Sequence, residues 1–170
     1  VSELSRTWDL HLRSISDEGA QEWKLREQLS RHPTQVSALD ELIEVFEWTA
    51  ERSAGRQDAL LDSNGNQYLR TLVLSGKGRH FCAGADINMM RDAGANTPEE
   101  NRKDSERLDR LFNGLWSHPC FTIGAIQGVA LGGGAGLIAC LDYVIATEDV
   151  KIALSEAKLG ILPAVIGPYV

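Results

Sequence analysis

Two short glycine-bearing stretches and one acidic residue carry most of the chemistry legible in this sequence. The stretch GVALGGGAG at 128–136 lies between apolar runs, so its backbone amides have little side-chain cover and can point at a negatively charged group. A second stretch, HFCAGADI at 80–87, has the same character and also follows an apolar run and two glycines, Gly76 and Gly78. Two facing amide donors are what a thioester carbonyl needs as it takes on enolate charge. Downstream, Glu156 in SEAKLG offers a carboxylate for moving protons. Each feature also has a plainer explanation. The glycines permit tight helix-sheet packing, and Glu156 beside Lys158 reads as a solvated charge. A nucleotide loop fits poorly: GKS and GKT are absent, and the GxGxxG pattern begun by Gly132 and Gly134 is broken at Leu137.

The elements that must position these residues follow from hydrophobic spacing. Leu39, Leu42, Ile43, Phe46 and Ala50 recur at helical intervals behind Ser37 as a candidate N-cap. Residues 52–67 read as a loop with a turn at Asn64-Gly65. Residues 68–75 read as a buried strand that ends at Gly76. Pro98, Glu99 and Glu100 mark a helix start, with Leu108, Leu111, Phe112 and Leu115 on one face, and Pro119 closes it near Trp116. A strand at 121–127, a glycine turn, a helix at 134–141 and a strand at 143–146 follow. Strand, helix and strand with short joints make right-handed crossovers, so the fold class is α/β. The first thirty residues show no dominant period.

At 170 residues and 43% apolar content, the chain is expected to form one domain over 1–170. Its formal charge of −7, with no basic block, speaks against a nucleic-acid partner. Cys82, Cys120 and Cys140 are odd in number and have no CxxC spacing, which indicates neither a zinc site nor a disulfide framework and suits a reduced, cytoplasmic setting. His80 and His118 lack ligand-like spacing, so no metal is expected. No basic region followed by an apolar run opens the chain, so no signal peptide is seen. The chain starts at Val1 rather than Met, and its true start is expected to lie upstream. The uncharged span 121–141 is long enough for a bilayer, but its glycines make a poor continuous helix and argue against a membrane partner.

The runs GRHFCAGADI, AIQGVALGGGAGLIACLDYVIA and ALSEAKLGILPAVIGPYV resemble the enoyl-CoA hydratase/isomerase (crotonase) superfamily in order, spacing and residue type. The resemblance covers about 69–170. Upstream, LSRHPTQVSALDEL at 29–42 is similar to the family's early segment, with Ser37 where an asparagine is usual. The likeness implies a superhelix of ββα turns, whose C-terminal helices would follow residue 170. It also implies an oxyanion hole made by the amides of Ala85 and Gly133. Ala83, Gly84, Asp86 and Ile87 around the first turn, and Gly132, Gly134 and Gly136 around the second, would line the substrate site. Asp86 also reads as a helix cap. Lys158 would meet a distal substrate carboxylate, or serve as an ordinary surface charge.

Hydratases of this family commonly carry two glutamates. The first position is Gly136 here, which leaves Glu156 alone. One carboxylate suffices in two ways: it can activate water for the β-carbon and return a proton to the α-carbon, or it can shuttle a proton between two carbons of an allylic system. The tail, LSE with a following basic residue and then LGxxPAxIxPYV, resembles bacterial methylglutaconyl-CoA hydratase-like members of leucine and acyclic-terpenoid breakdown. The resemblance therefore implies hydration of a branched enoyl-CoA. Double-bond isomerisation and a non-catalytic acyl-CoA-binding role are the alternatives. The substrate would arrive as a coenzyme A thioester with no separate cofactor, and the full-length form would be a homotrimer or hexamer.

Overall fold

Leu72 and Leu74 alternate inward along a strand and are fully buried, and the sheet is built around them. In the computed structural model, which describes residues 8–13, 38–53, 55, 61–76, 78–84 and 94–170, they belong to β2 (Thr71–Gly76). β1 (Trp8–Arg13) pairs antiparallel with β2, which runs parallel to β3 (Phe121–Ile126), and β3 runs parallel to β5 (Tyr143–Ala146). Parallel neighbours require crossovers. The first crossover is helix α2 (Pro98–Trp116) and the second contains β4 (Val129–Leu131) and α3 (Gly133–Ala139).

Helix α2 starts where the sequence places it. Thr97 accepts from the Glu100 amide, and the Glu100 carboxylate accepts from the Thr97 amide, so two otherwise orphaned donors are satisfied. Its buried face, Leu111, Phe112 and Leu115, meets α1 (Ala38–Glu51), which contributes Leu42, Ile43, Val45 and Phe46 to the same core. Ion pairs Asp40–Arg107 and Glu47–Arg110 border that contact. The first is part-buried and the second exposed, and the exposed pair fixes orientation more than it adds stability. His118 closes the joint between α2 and β3. Its Nε2 lies 2.9 Å from Oγ1 of Thr49 on α1, and its Nδ1 accepts from the Cys120 amide.

β4 pairs in parallel with β6 (Lys151–Ala153), forming a second, smaller sheet. The segment after β2 joins its other side through a parallel bridge between Cys82 and Ala130. This layer differs from the sequence expectation, which gave residues 128–133 to a turn and assigned nothing to 151–153. Three-residue strands are too short to show a period. The expected helix at 134–141 also shifts to Gly133–Ala139. It ends early because the Asp142 carboxylate takes the amide and hydroxyl of Thr122 while the Asp142 amide donates to the Thr122 hydroxyl, which pulls the chain back to the sheet. The uncharged span 121–141 is thus two strands and a short helix. Among the described residues, no helix is long and apolar enough to cross a membrane.

Candidate active site

Three neighbouring parallel segments of the small sheet run out at the same end. The Cys82 amide donates to the Val129 carbonyl and the Leu131 amide donates to Cys82, so residues 82–84 leave the sheet beside the end of β4. The Gly132 amide donates to the Ala153 carbonyl at 2.9 Å, which brings the end of β6 to the same place. Past these ends lie Gly84, Gly132 and the 3-10 turn Ser155–Leu159 that carries Glu156. The crevice beyond the carboxyl ends of parallel strands is where α/β proteins place their ligands.

Both turns use glycine for a physical reason. Gly132 has φ +51°, and a methyl group there would stand 3.0 Å from the Ser155 hydroxyl and 3.1 Å from Oε1 of Glu156. Gly84 has φ +100°, and its methyl would press on the Leu131 carbonyl oxygen at 3.2 Å. Neither position suits an L side chain. Gly133 opens α3, and the first intrahelical bond runs from the Gly136 amide to the Gly132 carbonyl. The amides of the first turn have no helical carbonyl to bind. Gly134 is buried against Cys82, whose Cβ would lie 2.7 Å from an added Cβ, so α3 seats directly on the first glycine-bearing turn.

Glu156 reaches into this junction. It is half-buried, and its Oε2 is shielded from solvent with no hydrogen-bond partner among the described residues. An unsatisfied buried carboxylate oxygen costs on the order of 1–3 kcal/mol or more, and such an atom calls for a functional account. Burial raises the Cys82 thiol above its ordinary value, against a smaller opposing effect of the Gly84 backbone hydrogen bond. The thiol therefore stays protonated and is a poor nucleophile.

The structure brings Gly84, Gly132, Gly133, Gly134 and Glu156 together. Ala83 is exposed at the edge of the turn and Lys158 is exposed. Ala85, Asp86 and Ile87 lie outside the described residues, as does the proposed N-cap Ser37. Gly136 is buried within α3 and is not open toward a ligand: Ile166 and Phe112 stand over it.

One positioning residue escaped the sequence reading. Gln127 donates from Nε2 to the carbonyls of Gly76 at 2.6 Å and Gly78 at 3.0 Å, while its backbone carbonyl accepts from the Phe81 amide. It ties the loop that leads into residues 82–84 to the end of β3. The available signal is a polar side chain ending an apolar strand just before a glycine.

The enoyl-CoA hydratase/isomerase family model matches residues 48–170. The chain belongs to this family. An enoyl-CoA hydratase of Shewanella pealeana superposes with a TM-score of 0.65 at 39% identity, covering 78% of this chain and 44% of that one. Pseudomonas aeruginosa AtuE superposes at 0.64 with 32% identity, covering 78% and 46%. A Thermus thermophilus protein named as an enoyl-CoA hydratase is 35% identical over 108 residues, which is 64% of this chain and 43% of the relative. The fold is therefore the crotonase fold, and the chain spans less than half the length of the relatives it matches.

Proposed function

We propose that this chain carries the enolate-forming centre of an enzyme that hydrates an enoyl-CoA thioester. The observation that carries this reading is the Glu156 carboxylate, set against the Gly132 turn with Oε2 buried and unpartnered. In this reading the amides of Ala85 and Gly133 hold the thioester oxygen. Glu156 takes a proton from water as the oxygen adds to the β-carbon, then returns a proton to the α-carbon. Coenzyme A is part of the substrate, and no further cofactor takes part. Tail similarity favours a branched, methylglutaconyl-CoA-like substrate and a role in leucine breakdown, with Lys158 facing a distal carboxylate. The full-length protein is read as a cytoplasmic homotrimer or hexamer.

A second reading, double-bond isomerisation, is favoured by one specific observation: the position of the other family glutamate is Gly136, roofed by hydrocarbon. Turnover of a panel of enoyl-CoA esters by the full-length protein in isotopically labelled water separates the two. Labelled oxygen in the product means hydration, and deuterium alone means isomerisation. Glu156→Gln is expected to lower either turnover about 10²–10⁴-fold while CoA-ester binding persists. Full activity in that variant would refute the assignment of Glu156. Normal ester binding with no turnover of any ester by the unaltered protein would select a non-catalytic role.

A further inference from the structure

The turn that carries Glu156 presents a second oxygen to the same spot. From the point where a Cβ would stand on Gly132, the Ser155 hydroxyl lies 3.0 Å away and Oε1 of Glu156 lies 3.1 Å away. Consecutive side chains of a 3-10 helix point about 120° apart, yet these two converge on Gly132, which has no side chain to keep them off. The turn is held at both ends. The Gly132 amide donates to the Ala153 carbonyl at 2.9 Å, and the Ile161 amide donates to the Glu156 carbonyl at 3.2 Å. Ser155 and Glu156 are both half-buried. Among the described residues, Oε2 of Glu156 is the buried side-chain polar atom left without a partner. Oε1 and the Ser155 hydroxyl make no hydrogen bond to the described residues either, and they keep contact with solvent.

We propose that Ser155 is a water-positioning residue of this site, its hydroxyl and Oε1 of Glu156 holding one water between them beside Gly132. The proposal rests on the hydration reading above and supplies the water's second anchor. A bound water needs two or more polar partners to be fixed in place. Gly136, the position of the other family glutamate, is closed by Ile166 and Phe112 and offers no polar group. Two oxygens within 3.1 Å of one point are close enough for a single water to reach both. A serine hydroxyl can accept a hydrogen bond as well as donate one. With one hydrogen of the water on Oε1 and the other on the Ser155 oxygen, a lone pair of the water oxygen is left for the β-carbon. That oxygen bonds to the β-carbon, the π pair passes into the enolate, and Glu156 takes the first proton. The α-carbon then recovers that proton from Glu156. The second hydrogen stays on the new hydroxyl, facing Ser155, which neither gains nor loses a proton. Double-bond movement in a β,γ-enoyl thioester uses the Glu156 carboxylate as base and then as acid. It adds no water and makes no use of Ser155.

The test uses the full-length protein, with α,β-enoyl-CoA esters for water addition and β,γ-enoyl-CoA esters for double-bond movement. Ser155→Ala removes one hydrogen bond to the water and should lower kcat for hydration roughly tenfold, with KM held within about twofold. Double-bond movement and the melting midpoint should stay at their parental values. Ser155→Thr keeps the hydroxyl and should hold hydration within about threefold of the parent. Parental hydration in Ser155→Ala would overturn the proposal. An equal fall in both reactions, or failure of that variant to fold, would mark Ser155 as structural and overturn it too. Where the parent hydrates without moving double bonds, Ser155→Thr decides, and a loss equal to that of Ser155→Ala overturns the proposal. Double-bond movement without hydration in the unaltered protein would overturn the role of Ser155 and leave the enolate chemistry of Glu156 standing. Absence of both reactions in the unaltered protein would overturn the enolate reading itself, and this proposal with it.

Discussion

Gly133 gives the sharpest test of the oxyanion role, because its surroundings separate activity from stability. A Cβ placed there would have one neighbour within 4 Å, Cζ of Phe112 at 3.9 Å, which is ordinary van der Waals contact. The residue is helical, so an L side chain fits its backbone. Gly→Ala inside a helix gains up to about 1 kcal/mol, and less in the first turn. For a domain of this length that is a midpoint change of roughly 2–4 °C at most. The Cα–Cβ bond of a helical residue tilts toward the helix N-terminus, which here is the side where a thioester oxygen would meet the Gly133 amide. Gly133→Ala should therefore leave the midpoint level or slightly raised and crowd the oxygen. Gly133→Val should displace it altogether. Losing one such donor costs about 3 kcal/mol in the transition state, or roughly 10²–10³ in kcat. Circular dichroism melts alongside enoyl-CoA turnover measure both quantities on one preparation. A folded Gly133→Val variant with parental kcat would refute the oxyanion assignment. Collapse of both variants would refute the packing reasoning.

Two further perturbations follow from the same structure. Gln127→Ala removes the donor to the Gly76 and Gly78 carbonyls and should lower kcat about tenfold or more by loosening the loop that leads into Gly84. Gln127→Glu, which retains the shape but cannot donate from its carboxylate, should not rescue it, and full activity in either variant would sink the positioning role. His118 is held neutral: burial lowers its pKa, outweighing the Phe46 carbonyl and the Asp142 charge that raise it. Its Nδ1 accepts from the Cys120 amide, so the ring proton sits on Nε2. Because the folded pKa is depressed below the unfolded value near 6.5, stability is complete above about pH 6.5. It falls as pH drops toward the folded pKa, since the unfolded chain takes a proton the folded one refuses. Urea midpoints measured from pH 7.5 to 5.5 should decline, and the decline should be shallower in His118→Gln. A parallel decline in that variant would assign the effect to another group.

Legibility tracked element length and burial. Helix α2 was readable from Pro98 and a nineteen-residue amphipathic face, and α1 from five apolar residues at helical spacing. Strands β2 and β3 were readable because they are apolar runs whose every second central position is buried. The short strands β4 and β6 were not, since three residues carry no period and β6 is exposed along its length. Their pairing depends on the Cys82 bridge and on the bond between Gly132 and Ala153, contacts between residues far apart in the chain. The site showed the same division. Gly84 and Gly132 were recognisable as turn glycines, and their positive φ values bear this out. Glu156 was recognisable only through its spacing from them. Its half-buried setting and unpartnered Oε2 are features of packing that no sequence pattern reports.

Gly136 illustrates what packing adds to such a reading. From sequence it is an absent carboxylate, and absence leaves the space undefined: water, substrate or protein could fill it. In the fold, a residue thirty positions later closes that space with a branched aliphatic side chain, backed by an aromatic ring from another helix. A single substitution at Gly136 therefore cannot restore a second acid-base group, because the new side chain would begin 2.3 Å from the Ile166 methyl. Glycine at 136 and isoleucine at 166 are one choice made at two positions. With that position closed by hydrocarbon, the proton balance of the proposed reaction falls to Glu156, set against the Gly132 turn, and to water.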